Sequence, residues 1–125
     1  MKKISEELIL MVHDKAIQRF GGVSGIRDKN LFKSQCVAPY QTFMGKDLYP
    51  TLYDKAVRYL FGFAGNQVFL DGNKRTAVAV MLIFLDINGI SVDVTSEELE
   101  RIGFGVAKGL VSESTVKAFL AERTI

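Results

Sequence analysis

The sequence has few of the features that mark secreted, membrane or zinc-binding proteins. Its 125 residues include one cysteine, one histidine and no tryptophan. A single cysteine permits no internal disulfide, and one histidine with one cysteine cannot build a zinc site. The longest apolar run, residues 77–85, has nine residues, whereas a membrane-spanning helix needs roughly 20. The first residues lack the basic and apolar pattern of a secretion leader, so we expect no membrane segment and a cytoplasmic location.

Charge of neither sign dominates the chain. The 16 Lys and Arg residues oppose 14 Asp and Glu residues, and no basic run is present that would follow a phosphate backbone. We therefore expect no direct binding of nucleic acid. A hydrophobic share of 48% and a charged share of 24% are typical of globular proteins. At this length they predict a single domain that covers residues 1–125.

Helix-start and helix-stop signals recur along the chain. Caps such as Ser5 and Asp28 precede apolar residues at helical spacing. The six predicted helices run from Ser5 to Gly21, from Asp28 to Pro39, from Pro50 to near Gly65, from Thr76 to Asn88, from Ser96 to about Lys108 and from Ser112 toward Arg123. Residues 40–49 are predicted as a loop, and residues 91–94 as a short extended segment with no evident partner. The pattern predicts an all-α bundle in which the apolar helix 76–88 is central and buried.

The apolar helix follows directly after the segment VFLDGNKRTA, residues 68–77. Lys74 and Arg75 stand at the start of the helix, where unpaired N–H groups and the positive end of the helix dipole disfavour cations. Because two cations stand at a disfavoured place beside the buried helix, the segment favours an anion site, with phosphate as its natural ligand. Gly72 is expected to permit a close backbone approach, and Asn73 to cap the helix and contact the ligand.

Asp71 adds a carboxylate beside the expected phosphate site. Proteins commonly hold Mg²⁺ with one or two carboxylates next to phosphates, so the segment predicts a site for a nucleotide with Mg²⁺. A plain turn at Asp71-Gly72, followed by two solvated cations, explains the same residues equally well from spacing alone. A P-loop is excluded because Asn73 occupies the place of the glycine that this motif needs before its lysine.

The same segment resembles the signature of the Fic/Doc family, written for its Doc branch as H-x-F-x-D-[AG]-N-K-R. The similarity extends to VHDKAIQRFGGVSGIRD, PYQTFMGKDLYPTLYDKA and LIFLDINGI, and so over nearly the whole chain. It implies a compact helical Fic fold that uses ATP and Mg²⁺. It also implies a role for each matching residue: Phe69 packs the loop onto the core, Asp71 holds Mg²⁺, Gly72 and Asn73 form the phosphate-facing turn, and Lys74 and Arg75 hold the phosphate chain during transfer.

Two positions favour the Doc branch over the adenylyltransferases of the family. Those enzymes have glycine where this chain has Lys74, and a second arginine where it has Val78. Doc toxins transfer the γ-phosphate of ATP to a threonine of elongation factor Tu and so stop translation. A small antitoxin neutralises them by binding as a helix in a groove. The resemblance therefore implies ATP, elongation factor Tu and such an antitoxin as partners, with the first helix and residues 23–43 as groove walls.

One position departs from the signature. The family histidine, two residues before the motif phenylalanine, is Gln67 here. In the family this histidine takes the proton from the target hydroxyl, and glutamine does not titrate near neutral pH. We therefore expect an impaired or inactive enzyme. A natural inactive relative, an enzyme that needs no base and an inactivated toxin stay open, as do a non-catalytic module that binds an antitoxin and a protein adenylyltransferase.

Three other polar residues lie outside the signature segment. His13, the only histidine, is predicted as a hydrogen-bonded structural or surface residue, and Arg58 as a solvated helix charge. Arg27 has no assigned role.

Overall fold

The structure is a computed structural model that describes residues 1–125. It contains six α-helices, which confirms the predicted all-α bundle. These are α1 (Glu6–Phe20), α2 (Lys29–Val37), α3 (Leu52–Gly65), α4 (Asn73–Ile87), α5 (Ser96–Ala107) and α6 (Glu113–Glu122). A 3₁₀ turn, Ala38–Tyr40, follows α2, and a small antiparallel hairpin joins β1 (Thr42–Phe43) to β2 (Lys46–Asp47). None of the helices combines the length and the apolar character that crossing a membrane requires.

Side-chain caps explain most of the helix starts. Ser5 Oγ accepts a hydrogen bond from the Leu8 N–H at 3.1 Å, as the sequence predicts. The prediction that Pro50 lies in the first turn of α3 is wrong, because Thr51 caps this helix in a reciprocal box with the residue three positions later. The predicted start of α5 at Ser96 is confirmed, and Thr95 caps this helix in the same way.

Helix α4 lies at the centre of the bundle, as predicted, and it packs against α3, α1 and α5. Its inward side chains are fully buried, and they meet an equally buried set on α3. The shared core includes Val80, Met81, Phe84 and Leu85 from α4, and Tyr59, Leu60 and Phe63 from α3. Burial of each large apolar side chain contributes about 2 kcal/mol before the entropy cost of folding. The first turn of α4 therefore starts from a rigid base.

Two segments differ from the sequence prediction. The predicted loop 40–49 contains the hairpin, which a buried ammonium ties to α3: Lys55 Nζ donates to Asp47 Oδ2 at 3.3 Å and to the Tyr49 carbonyl. The extended segment 91–94 has a partner after all, because Val92 forms an antiparallel bridge with Thr124. The Val92–Thr124 bridge joins positions far apart in sequence, and the Lys55 contacts pair a charge with a loop. Local periodicity predicts neither contact.

Candidate active site

The first turn of α4 offers unpaired backbone donors. Gly72 precedes the helix in a left-handed conformation, φ +73°, and no side chain caps the helix. The N–H groups of the first turn are therefore left for another acceptor, next to the positive end of the helix dipole. Lys74 and Arg75 are exposed in this turn, and the ion pairs of the protein involve other cations. Two unpaired cations and free N–H donors form a strong site for an anion.

A cleft of about 410 Å³ opens at this turn and brings all the predicted site residues together. Twelve residues line it, and they include Gln67, Phe69, Asp71, Gly72, Asn73, Lys74 and Arg75. The remaining lining residues are Arg27, Ala64, Leu70, Ala107 and Lys108. Four of the twelve are Arg or Lys, and only one is acidic. The electrostatic field in the cleft therefore favours a ligand with several negative charges.

Asp71 is the one carboxylate in the cleft. Its Oδ1 accepts a hydrogen bond from the Gly72 N–H at 3.0 Å, and its Oδ2 accepts one from the Val23 N–H at 3.3 Å. The carboxylate is exposed and forms no ion pair, and no group of three or more His, Cys, Asp or Glu side chains gathers anywhere in the protein. A single carboxylate fits Mg²⁺, which takes few protein ligands when phosphates and water complete its shell. It does not fit a metal that needs a full protein cage.

His13 packs against residues that line the cleft. The side chain is 2% exposed, its Nε2 donates to the Asp71 carbonyl at 2.8 Å, and its ring stacks on Phe69 with centroids 3.8 Å apart. Phe69 in turn packs against Phe32 and Phe63 in the core. His13 is thus a buried structural residue, one of the two outcomes predicted for it, and it links α1 to the motif loop.

Asn73 does not cap the helix, so that expectation is wrong. Its Oδ1 accepts from the Phe69 N–H at 2.8 Å, and its Nδ2 donates to the Phe69 carbonyl at 3.0 Å. This pair of bonds closes the loop over residues 69–73 and commits both ends of the side-chain amide. The Asn73 backbone N–H, in the first turn, is the better candidate for a ligand contact.

Gly72 is required by its conformation and by a close neighbour. A Cβ at this position would lie 3.1 Å from Ile17 Cδ1, and an L side chain rarely adopts its φ of +73°. The close approach that the structure records is therefore to α1. A close approach to a ligand stays a prediction.

The two cations also border a second cleft of about 390 Å³, between α4, α5 and the end of α1. The Arg75 guanidinium lies 3.7 Å from the centre of the Phe20 ring, and the Lys74 ammonium lies 5.8 Å from that of Phe104. Cation–π contacts of this kind orient the side chains without neutralising their charge. The motif cations are thus held in place but still available to an anion.

Sequence reasoning missed two cations in the main cleft, Arg27 and Lys108. Arg27 Nε donates to the Gln67 carbonyl at 2.5 Å, a contact across forty positions that no local pattern announces. Arg58 lies outside the cleft. Its guanidinium pairs with Glu113 at 2.9 Å. It is also more buried than the solvated charge that the sequence predicts, with 23% of its side chain exposed.

A helical bundle with a cation-lined cleft at the first turn of its buried central helix has the architecture expected of a Fic protein. A sequence model of the Fic/DOC family matches residues 3–85, and the chain belongs to this family.

Two curated relatives identify the branch. The chain is 34% identical to "Protein kinase doc" of Escherichia phage P1 over 116 residues, which cover 93% of this chain and 90% of the relative. It is 44% identical to "Toxin Doc" of Mycolicibacterium smegmatis over 73 residues, which cover 58% of this chain and 56% of that relative. These similarities confirm the predicted Doc branch.

Proposed function

We propose that this protein is a Doc-like toxin whose site is built for transfer of a phosphoryl group from ATP to a protein hydroxyl, and whose turnover is impaired by Gln67. The observation that carries the proposal is the uncapped first turn of α4, flanked by the unpaired cations Lys74 and Arg75 and by the Asp71 carboxylate. The names of the two relatives support both parts of it, since one is a toxin and the other a protein kinase. Elongation factor Tu is the proposed target, by resemblance.

The residues of the cleft divide the work in a way that suits phosphoryl transfer. Lys74, Arg75 and the free N–H groups of the first turn stabilise the charge of the phosphate chain, which is the largest contribution in such reactions. Asp71 would hold Mg²⁺, which supplies further neutralisation of phosphate oxygens when it is bound. Phe69 and Asn73 keep the loop rigid, so these donors need no reorganisation when the ligand arrives.

Gln67 limits the reaction at one step. Gln67 lines the cleft and is exposed, at the position of the family histidine. An amide can orient a target hydroxyl by hydrogen bonding, but it cannot take the proton at neutral pH. Loss of a general base lowers the rate by about 10²- to 10⁴-fold. We therefore expect nucleotide binding to survive while transfer is slow.

The same residue favours a second candidate function, a non-catalytic Fic module that binds an antitoxin. A toxin–antitoxin setting is part of the proposal, with a small antitoxin that folds as a helix against α1 and residues 23–43. A synthetic peptide of a cognate antitoxin should protect the backbone amides of this region, Ile4–Phe43, from hydrogen exchange. Unchanged exchange there with a peptide that binds elsewhere would contradict the proposed groove.

Three versions of the chain test the catalytic proposal: the parent, Gln67→His, and Gln67→His combined with Lys74→Ala. Each is induced in cells to follow growth arrest, and each is incubated with Mg·ATP and elongation factor Tu to follow target mass. We expect arrest and a gain of one phosphate from Gln67→His alone. A gain of one AMP would mean an adenylyltransferase. ATP binding without arrest or transfer from any version would leave the non-catalytic module as the function.

A further inference from the structure

Arg27 clamps the backbone at the position that decides catalysis. Its Nε donates to the Gln67 carbonyl at 2.5 Å, and one of its terminal nitrogens donates to the Asn66 carbonyl at 3.2 Å. The Arg27 backbone N–H also donates to the Val68 carbonyl at 2.9 Å. Three successive carbonyls, of residues 66, 67 and 68, are thus fixed by one residue. No carboxylate pairs with this guanidinium, so its charge stays in the cleft.

The clamped turn holds an unfavourable conformation. Gln67 has φ +46°, in the left-handed region that residues other than glycine rarely adopt. A backbone in this region stays there only when its surroundings enforce it. The direction of the bond from Cα to Cβ follows from the backbone angles, so the same enforcement sets the direction of the side chain at residue 67, a residue that lines the cleft.

We infer that Arg27 is a positioning residue for position 67. In this role it acts through the carbonyls of Asn66 and Gln67. It holds the turn so that the side chain at 67 faces the place where a target hydroxyl meets the phosphate chain. The inference rests on the proposed function and adds to it a residue outside the family signature.

A separation of kcat from KM tests this role. In the Gln67→His background, Arg27→Ala should lower kcat at least about 10-fold, because a misplaced base loses orientation, while the KM for ATP changes less than about 3-fold. Arg27→Lys should recover part of kcat, since an ammonium donates to a carbonyl but lacks the planar fork that fixes the directions of two bonds. Lys29→Ala is the matched control, because it removes a nearby exposed cation that contacts neither Asn66 nor Gln67. A loss confined to the KM for ATP would make Arg27 a phosphate contact, and an unchanged kcat would remove any role; either result overturns the inference.

A stability cycle on the parent chain tests the same clamp without any activity. Glycine tolerates φ +46°, so the turn of the Gln67→Gly chain carries no backbone strain at residue 67. Arg27→Ala should therefore lower the urea midpoint of the Gln67→Gly chain by at least about 0.3 M more than it lowers that of the parent, because only the parent recovers strain energy when the turn relaxes. Equal shifts in the two backgrounds would overturn the inference. If the Gln67→His chain transfers no phosphate, the proposed function fails and this cycle alone decides whether Arg27 is a clamp.

Discussion

Replacement of His13 tests whether the motif loop depends on a residue of α1. The imidazole is buried, stacks on Phe69 at 3.8 Å and donates to the Asp71 carbonyl at 2.8 Å. Stacking of this kind is worth about 1 kcal/mol and the hydrogen bond about 1 kcal/mol. The cavity left by a deleted ring adds at least about 1 kcal/mol. We therefore expect His13→Ala to lower the free energy of unfolding by about 3 kcal/mol.

Urea denaturation followed by circular dichroism measures the effect. With a denaturant slope of about 1.5 kcal/mol/M, a loss of about 3 kcal/mol moves the midpoint by about 2 M. His13→Phe separates the two contributions, because it keeps a stacking ring and removes the donor. Its loss should be smaller, about 1 kcal/mol, and should come mainly from the freed Asp71 carbonyl.

Met11→Ala is the control within the same helix, because this side chain is 54% exposed and should change the stability by less than about 0.5 kcal/mol. The reasoning is refuted if His13→Ala costs no more than Met11→Ala. It is also refuted if His13→Phe costs as much as His13→Ala, since the ring would then contribute nothing.

Three further predictions follow from local geometry. Gly21 and Gly22 both have positive φ, but a Cβ at Gly22 would lie 2.6 Å from the motif carboxylate, whereas one at Gly21 would meet no atom within 4 Å. Only Gly22→Ala should therefore weaken Mg·ATP binding. Equal affinities of the two variants, measured by calorimetry, would contradict this. The hydrogen-bonded guanidinium of Arg123 lowers the pKa of Glu98 to about 2 from 4.5, so its stabilising contribution is complete above pH 4.5 and lost as the pH falls to about 2. The difference in urea midpoint between the parent and Glu98→Gln should thus shrink from pH 6 to pH 2, and a constant difference would count against the pair. Burial raises the pKa of the Cys36 thiol to about 12, so Ellman's reagent at pH 8 should react at least about 100-fold faster with the urea-unfolded chain than with the folded one.

The helices and the motif loop could be predicted because their signals are local. Ser5 and Asp28 are typical helix caps, and the unbroken apolar run 77–85 is typical of a buried helix. Lys74 and Arg75 marked the cleft because two cations at a helix start are unfavourable without a ligand.

The supports of the site could not be predicted in the same way. His13 and Arg27 reach the motif loop across 58 and 40 positions of sequence, and each does so through a carbonyl, a group that every residue has. The role of Asn73 was misassigned for a related reason: asparagine at a helix start is a common cap, and only the fold shows that it closes the loop on Phe69 instead.

The central claim is that the first turn of α4 cradles the phosphates of a nucleotide, and a calorimetric titration with Mg·ATP tests it most directly. The parent chain should bind, and Lys74→Ala should bind about 10- to 100-fold more weakly, because a charge-assisted hydrogen bond to phosphate is worth about 1.5–3 kcal/mol. Lys15→Ala, which removes an exposed cation of α1 outside the cleft, should leave the affinity unchanged. No saturable binding by the parent, or equal affinities for all three chains, would contradict the account.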